Sequence, residues 1–236
     1  MAKPRTMARA PRWRRRKDDR PGAILAAALA CFAERGFAAT RLDDVAKRAG
    51  VTKGTLYLYF PNKEELFKAV VRQAIVPNIA RGETLLDETA EPGPVALSRL
   101  IANWSEVMTT PASAVPKIVV AESGNFPDIA RFYLEEVVER GLGLFTRLLS
   151  AGVERGEFGA MDIDNTALCV VAPLILGMLW RHSFERHGGR PLDPDALCRA
   201  HLRLLSHGLG LVEPGRARPS AGPAKHLRRQ RKGAGA

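Results

Sequence analysis

The sequence is poor in the residues that would indicate a secreted or membrane protein. Its 236 residues include only three cysteines, Cys31, Cys169 and Cys198, which lie far apart and form no CxxC pair. This sparse, odd set indicates reduced thiols rather than a disulfide framework. The longest apolar run, residues 167–180, is shorter than the about 20 residues that a bilayer-spanning helix needs. No apolar segment follows the positive N-terminus as in a secretory signal, so we expect a cytoplasmic protein.

Sequence motifs of enzymes are also missing. There is no GxSxG motif, no P-loop and no dinucleotide-binding glycine cluster. His182, Glu185 and His187 lie close together, but their spacing matches neither HExxH nor a paired-ligand helix, so we interpret them as a solvated helix end. Ser123 and Ser183 have no base that the sequence makes visible. We therefore predict no enzymatic activity, no cofactor and no metal site.

Positive charge, in contrast, is abundant and unevenly distributed along the chain. The formal net charge is +11, with nine Lys and Arg against two Asp in residues 1–20 and seven against one Glu in residues 213–236. Between these ends, residues 21–72 are mildly basic and residues 73–212 are acidic. The basic character of residues 21–72 suits a polyphosphate partner such as nucleic acid. We interpret residues 1–19 and 213–236 as disordered basic tails, and solvated charge without any partner remains an open alternative for them.

Between the tails the hydrophobic pattern is helical throughout. Apolar residues recur at helical spacing, with Gly or Pro between segments, and this pattern predicts an all-α fold of about nine helices. We expect a small three-helix unit at residues 20–66, a larger helical unit at residues 67–212 and an irregular connection at residues 82–93. Caps are expected at Thr40, Thr52 and Asn62. Later helices are predicted near residues 94–109, 114–122, 127–155, 163–186 and 193–211.

Two short helices joined at residues 49–51 form a helix-turn-helix candidate. A helical wheel of the second helix directs Leu56 and Phe60 inward. The opposite side carries Gly54, Thr55, Tyr57 and Leu58. An outward glycine permits close backbone approach, hydroxyl groups can bind phosphate oxygens, and an exposed leucine can contact a thymine methyl group. This face therefore suits a DNA major groove better than it suits water.

The TetR/AcrR family of transcriptional regulators has a DNA-binding domain that residues 32–71 closely resemble. The shared residues are, in order, F-A-x-x-G-F, T-x-x-x-D-V-A-x-x-A-G-V and K-G-T-x-Y-x-Y-F-x-N-K-E-x-L. The resemblance implies DNA contacts at Thr40, Thr52, Lys53, Gly54, Thr55, Tyr57, Tyr59 and Lys63. Among these, Gly54, Thr55 and Tyr57 are expected nearest the base edges, and the others mostly at phosphates. Tyr59 also flanks the core face, so packing is an open alternative for it. Leu58 departs from family members that have an aromatic or polar residue there, which leaves the base preference open.

The same resemblance implies a homodimer that pairs through its two C-terminal helices and reads an inverted-repeat operator. Residues 164–184 are apolar nearly all round a helix, and residues 193–212 carry an apolar stripe. Pairing both helices with their symmetry mates would bury these surfaces in a four-helix interface. The family is mostly composed of repressors, and an activator remains the alternative.

The middle of the chain resembles AcrR- and AefR-like C-terminal domains loosely, and such domains hold a small-molecule inducer. The candidate pocket residues are Trp104, Met108, Val120, Phe126, Phe132, Tyr133, Met178 and Trp180. Their character predicts a hydrophobic or aromatic inducer, although each one could equally be an ordinary core residue. We expect the inducer to displace the helix that starts at residue 62 and thereby to change the spacing of the two recognition helices.

A different class of function also fits the charge distribution. The protein could be a non-specific architectural DNA-binding protein that works through its basic tails, with the folded body only joining two copies. The dependence of DNA affinity on salt concentration and on DNA sequence distinguishes the two hypotheses. A regulator retains one operator against excess competitor DNA, whereas binding through the tails weakens uniformly as salt rises.

Overall fold

The computed structural model describes residues 20–88 and 91–209, so the predicted tails lie outside the described residues. Every regular element within these two ranges is helical, and the predicted all-α fold is confirmed. The α-helices are α1 (Arg20–Arg35), α2 (Leu42–Ala49), α3 (Lys53–Tyr59), α4 (Lys63–Ala74), α5 (Val76–Glu88), α6 (Gly93–Thr109), α7 (Val115–Glu122), α8 (Pro127–Tyr133), α9 (Arg140–Glu154), α10 (Ile163–Ser183) and α11 (Pro194–Gly208).

Helices α1 to α4 enclose the N-terminal hydrophobic core. The rings of Phe32, Phe37 and Phe67 meet there with centroids 5.4–5.5 Å apart. Leu56 of α3 and Val70 of α4 are buried in the same cluster. Since α4 continues this core beyond residue 66, the two predicted domains share that helix. The core also includes buried residues of α7 and α8, which join the DNA-proximal helices to the rest of the molecule.

Two of the three predicted helix caps are present. The Thr52 side chain accepts a hydrogen bond from the Thr55 N–H, and Asn62 accepts one from the Glu65 N–H. The prediction for Thr40 is wrong, because α2 begins one residue later than expected and has no side-chain cap. Thr40 is buried instead, and its hydroxyl lies within hydrogen-bond distance of two backbone carbonyls of the preceding segment.

The connection predicted at residues 82–93 is helical over most of its length. Helix α4 ends at Ala74, and α5 begins directly afterwards with Pro77 in its first turn and continues to Glu88. Gly82 lies inside α5, where a Cβ atom would stand 2.8 Å from Leu144 Cδ1. Glycine therefore serves close helix packing at this position, a role that sequence alone cannot distinguish from a turn.

Helices α5, α6, α9, α10 and α11 build the second hydrophobic core, which forms the body of the protein. Helix α6 packs between α9 and α11, and α10 crosses the body against α7, α9 and α11. The predicted single helix at residues 127–155 is interrupted by a π-helical segment, Leu134–Glu139, between α8 and α9. Such π segments are rare and are often found at functional sites.

Helix α10 is more apolar than its burial explains. With the following turn, Ile163–His187 is the one described helix that by length and composition could cross a membrane, with a mean hydropathy of 1.7. Only 28% of its most apolar window is buried inside the protein. A packed core helix can meet the same criterion, so this alone is weak support for a membrane span. Its exposed residues include Leu168, Ala172 and Leu176, which share one face at four-residue intervals.

Candidate nucleic-acid interface and ligand cavity

The candidate DNA-reading helix is α3, and a left-handed glycine sets its direction. Gly50 ends α2 with a φ of 66°, and its N–H bonds back to carbonyl oxygens of that helix. Glycine adopts this conformation without the steric cost that a Cβ atom would bring. The chain thus turns sharply, and Thr52 starts α3 three residues before the Thr55 N–H that it caps. This is the helix-turn-helix that the sequence predicts.

The outer face of α3 is exposed, as the helical wheel predicts. Leu58 is 86% exposed and Tyr57 is 43% exposed, whereas Leu56 on the opposite side is fully buried. Gly54 is exposed, and Thr55 is half-buried beside it. An exposed aromatic residue and an exposed leucine on one turn form a small apolar surface that is suited to contact with a partner.

Lys53 and two threonines stand at the N-terminus of α3. The Lys53 ammonium lies 2.8 Å from an Asp43 carboxylate oxygen and 6.0 Å from the centre of the Tyr57 ring. The hydrogen bond with Asp43 raises the pKa of Lys53, so the side chain is held as a cation. The hydroxyls of Thr52 and Thr55 are 2.9 Å apart. A cation, two hydroxyls and a helix N-terminus together favour a phosphate group.

The side chains of three predicted DNA-contacting residues make contacts inside the DNA-binding domain. Thr40 is 2% exposed, and its hydroxyl is used inside the domain. Tyr59 is half-buried and packs against the core, which is the alternative left open for it. Lys63 donates to the carbonyl oxygens of residues 37, 38 and 40 at 2.8, 2.9 and 3.2 Å. Contacts of these three with DNA stay predictions, and the observed geometry gives each of them a role in packing.

A cavity of about 630 Å³ lies between α5, α6, α7, α8, the π segment, α9 and α10. Four of the predicted pocket residues line it, namely Trp104, Val120, Tyr133 and Met178. The other four predicted residues are absent from its wall. Met108 is buried in the body core, Phe126 packs 4.8 Å from Phe37, Phe132 lies beside Arg72, and the Trp180 indole N–H bonds to the Arg190 carbonyl.

Several lining residues were missed because nothing in the sequence separates a cavity wall from a packed core. Leu168 and Leu176 of α10 line the cavity and are also 51% and 58% exposed, so the cavity opens along that face of α10. Gly141 of α9 lines it as well, and within the described chain no atom outside its own helix lies within 4 Å of the position of a Cβ there.

Polar groups are few in the cavity, and those of Tyr133 and Asn103 are unpaired within the described residues. Tyr133 is buried, and burial raises the pKa of its phenol above the ordinary value. Its hydroxyl has no hydrogen-bond partner within residues 20–88 and 91–209, and neither has the Asn103 side chain. Asn78 also lines the wall, but its amide is bonded to Ala74 and Arg81. Although the Tyr133 side chain is buried, its hydroxyl oxygen is not fully enclosed, so a ligand oxygen in the cavity could bond to it.

A Ser–His pair that the sequence did not suggest lies in the body. Ser113 Oγ is 2.8 Å from His182 Nε2, and the serine hydroxyl also donates to the Thr110 carbonyl. Ser113 is only 1% exposed, which leaves no access for a substrate. In the described residues no group of three or more His, Cys, Asp and Glu side chains is arranged to hold a metal ion.

Comparisons with known proteins agree with this arrangement. Residues 24–70 match the family described as bacterial regulatory proteins, tetR family, and residues 95–186 match the AefR-like transcriptional repressor C-terminal domain. The HTH-type transcriptional repressor KstR2 of Mycobacterium tuberculosis is 28% identical over 194 residues, which is 81% of this chain and 94% of the relative. The uncharacterized HTH-type transcriptional regulator YfiR of Bacillus subtilis is 30% identical over 168 residues, 69% and 77% of the two chains.

A solved structure extends the likeness to the whole fold. The ketosteroid transcriptional regulator KstR2 of Mycobacterium tuberculosis superposes with a TM-score of 0.65 and 27% identity, over 81% of this chain and 95% of the other. Its likeness spans both the helix-turn-helix and the body that holds the cavity. From the exposed reading helix, the two matched regions and these relatives, we conclude that the chain belongs to the tetR family of DNA-binding transcriptional regulators.

Proposed function

We propose that this protein is a cytoplasmic repressor that binds an inverted-repeat operator as a homodimer and is released by a hydrophobic inducer. The observation that carries the proposal is the exposed face of α3, where Tyr57 and Leu58 stand out beside Gly54. The glycine lets the backbone approach the groove, and the two side chains supply a hydroxyl donor and an apolar contact for base edges. Lys53 and the N-terminus of α3 hold the flanking phosphates.

A second copy of the chain is the proposed partner for the exposed face of α10. Leu168, Ala172 and Leu176 form an apolar stripe on that face, and Leu204 on α11 is 72% exposed. Pairing α10 and α11 with their symmetry mates covers these residues and explains why so apolar a helix is so little buried. Two recognition helices spaced about one DNA turn apart then read an inverted repeat, which a single short helix cannot do selectively.

The cavity is the proposed inducer site. Its volume suits a drug-sized molecule, and its wall is almost wholly apolar. The unpaired Tyr133 hydroxyl and the Asn103 amide favour a hydrophobic molecule that carries a hydroxyl or carbonyl oxygen. Aromatic compounds remain within this class because Trp104 and Met178 also line the wall. The relative named as a ketosteroid regulator belongs to the same fold, and a ketosteroid is therefore a suitable first probe.

Helices α4 and α5 form the proposed route from inducer to operator. Helix α4 begins at the DNA-binding domain, and α5 lines the cavity with Asn78, Ile79 and Gly82. The chain breaks between them at Ile75, so the two helices can change their relative angle. An inducer that binds better to one angle shifts the population of dimers between two spacings of the recognition helices.

Selection of bound duplexes from a random DNA pool tests this function directly. We expect an inverted repeat to emerge and to be retained against excess unrelated DNA. In the Thr55→Ala, Tyr57→Ala variant the operator affinity should fall about ten-fold or more, since each direct base contact contributes about 1–3 kcal/mol. The exposed Thr84→Ala variant on α5 is the control and should bind like the parent. Unchanged affinity in the double variant would refute the assignment of α3.

The salt dependence of the same complexes separates regulation from architectural binding. If the protein is a non-specific DNA binder, the pool yields no preferred sequence and all duplexes lose affinity together as salt rises. If it is a regulator, the operator keeps a clear advantage at each salt concentration. The direction of regulation, repression or activation, is then read from a reporter placed behind the selected operator.

A further inference from the structure

The backbone of a single residue, Ala38, is held from both parts of the molecule. Its N–H donates to the Glu122 carboxylate at 3.0 Å, across 84 residues of sequence. Its carbonyl accepts a hydrogen bond from the Lys63 ammonium at 2.9 Å. Glu122 ends α7, a helix that lines the cavity, whereas Lys63 begins α4 at the DNA-binding domain. The loop at residues 36–40, between α1 and α2, is therefore hydrogen-bonded both to α7 and to α4.

An aromatic contact reinforces this junction. The Phe37 ring, fully buried, packs edge-on against Phe126 with centroids 4.8 Å apart. Phe126 lies between α7 and α8, and its N–H bonds to the Glu122 carbonyl oxygen. The Arg186 guanidinium adds a long contact of 3.5 Å with the Ala33 carbonyl near the end of α1. Two separate segments, residues 122–126 and the turn that carries Arg186, thus contact the same corner of the DNA-binding domain.

The helices that make this junction also form the cavity wall. On α7, Val119 and Val120 line the cavity, and Glu122 follows only two residues later. On α8, Ala130 and Tyr133 line the cavity on the helix that Phe126 precedes. Both helices are short, with eight and seven residues, so a displacement at the wall is carried to the junction within about one helical turn.

Movement of the loop changes the position of the reading helices. Residues 36–40 lead directly into α2, and the Thr40 hydroxyl ties the loop to α1, because it lies 3.2 Å from the Cys31 carbonyl oxygen of that helix. Helix α3 packs on α2, so it follows any shift of that helix. The α4–α5 connection is a different segment, and it lines the cavity at Ile75.

We propose that Glu122 and Phe126 are positioning residues that couple the cavity wall to the recognition helix through residues 36–40, as a second route beside the α4–α5 connection. The proposal rests on the proposed dimeric operator binding, because it concerns how two DNA-binding domains are held relative to their bodies. Neither residue lies on the reading helix α3. Their effect is on the orientation of each domain, and orientation matters only when both domains must bind at once.

Comparison of full-site and half-site binding separates this role from simple packing. We would measure the affinities of Glu122→Ala and Phe126→Ala for a duplex with the complete operator and for one with a single half-site, by fluorescence anisotropy. We expect full-site affinity to fall about five-fold or more, a typical coupling between sites, with half-site affinity unchanged. Glu106→Ala, an exposed carboxylate on α6, is the charge-matched control and should change neither affinity.

A conservative variant distinguishes the loss of one hydrogen bond from the loss of the fold. Glu122→Gln keeps an acceptor oxygen for the Ala38 N–H and should restore most of the full-site affinity. Equal losses on both duplexes, or no loss on either, would overturn the coupling role. Failure of the parent itself to prefer any duplex would instead refute the proposed function, so the two failures are distinguishable.

A cavity-filling substitution tests the link to the wall without an identified inducer. Gly141→Phe directs a ring into open cavity space, and Gly143→Phe on the same helix meets open space but does not line the cavity. We expect Gly141→Phe to weaken full-site binding in the parent and to weaken it much less in the Glu122→Ala background, with no such effect of Gly143→Phe. Fully additive effects, or no effect of Gly141→Phe in the parent, would show that the junction does not transmit the state of the cavity.

Discussion

The Lys63 ammonium lies 4.6 Å from the centre of the Phe37 ring and 2.8 Å from the carbonyl oxygen of the same residue. With two more carbonyl bonds, to Ala38 and Thr40, all three of its donors are occupied. Partial burial lowers the pKa of this lysine, but donation to three oxygens requires the protonated form. From the first turn of α4, Lys63 therefore stabilises the loop between α1 and α2 by hydrogen bonds to three of its carbonyl groups.

Replacement of Lys63 should destabilise the protein. In Lys63→Met three carbonyl groups lose their donor at a partly buried site, and we expect a loss of about 1–3 kcal/mol in the free energy of unfolding. Urea titration followed by circular dichroism measures it. Lys53→Met is the matched control, because Lys53 is exposed and its single ion pair contributes little to stability. Equal stability of the two variants would contradict the role assigned to Lys63.

Lys53 is exposed at the predicted DNA-binding face, whereas Lys63 is bonded inside the domain. This difference indicates which features the sequence can predict. Helical spacing correctly identified the outward face of α3, because a short helix with one buried leucine has only one way to face its core. The capping of α3 by Thr52 and of α4 by Asn62 was equally visible, since both depend on residues three apart. Local chemistry and periodicity fixed these features without knowledge of the remainder of the chain.

Features that depend on distant segments could not be predicted in this way. Thr40 and Lys63 fit a surface role by motif, but carbonyls of the α1–α2 loop occupy their polar atoms. Gly82 suggested a turn, but the approach of Leu144 from another helix requires its missing side chain. Half of the predicted pocket residues lie outside the cavity wall, because apolar side chains have the same spacing beside a cavity and beside another side chain.

Substitution on the exposed face of α10 should abolish dimer formation. Leu176→Glu introduces a carboxylate into the centre of the proposed interface, where two copies would oppose each other across the symmetry axis. We expect the parent to sediment as a dimer at micromolar concentration and the variant as a monomer. Val95→Glu on α6 is the control, since Val95 is exposed to a similar extent, at 43%, on another face. A dimeric Leu176→Glu variant would place the interface elsewhere.

The role of the Tyr133 hydroxyl in ligand binding can be tested by removing one oxygen atom from the ligand or from this side chain. A hydrophobic ketone of the proposed ligand class is expected to raise the melting temperature of the parent, and the corresponding hydrocarbon without the oxygen should raise it less. Tyr133→Phe should reduce the difference between the two ligands while the cavity keeps its shape, because the variant lacks only the unpaired hydroxyl. Tyr59→Phe, in the DNA-binding domain, should leave the difference intact. Retention of the full difference in Tyr133→Phe would remove this residue from ligand recognition.

The stability of the body should fall in mild acid because of His182. Burial lowers the pKa of this imidazole, and the nearby Arg186, Arg181 and Lys117 lower it further, while Glu185 opposes them. Between the lowered pKa and the ordinary value of about 6.5, the unfolded chain binds more protons than the folded one. Unfolding therefore becomes more favourable as the pH falls through this window, and the contribution is fully retained above it.

Substitution of His182 should flatten that part of the pH profile. We expect the urea midpoint of the parent to decrease between pH 7.5 and pH 5, and that of His182→Gln to decrease less, since glutamine can still bond to Ser113 but takes up no proton. His207→Gln, at an exposed histidine on α11, should follow the parent. If all three proteins lose stability in parallel, the acid sensitivity arises from carboxylates instead, and protonation of His182 does not oppose folding.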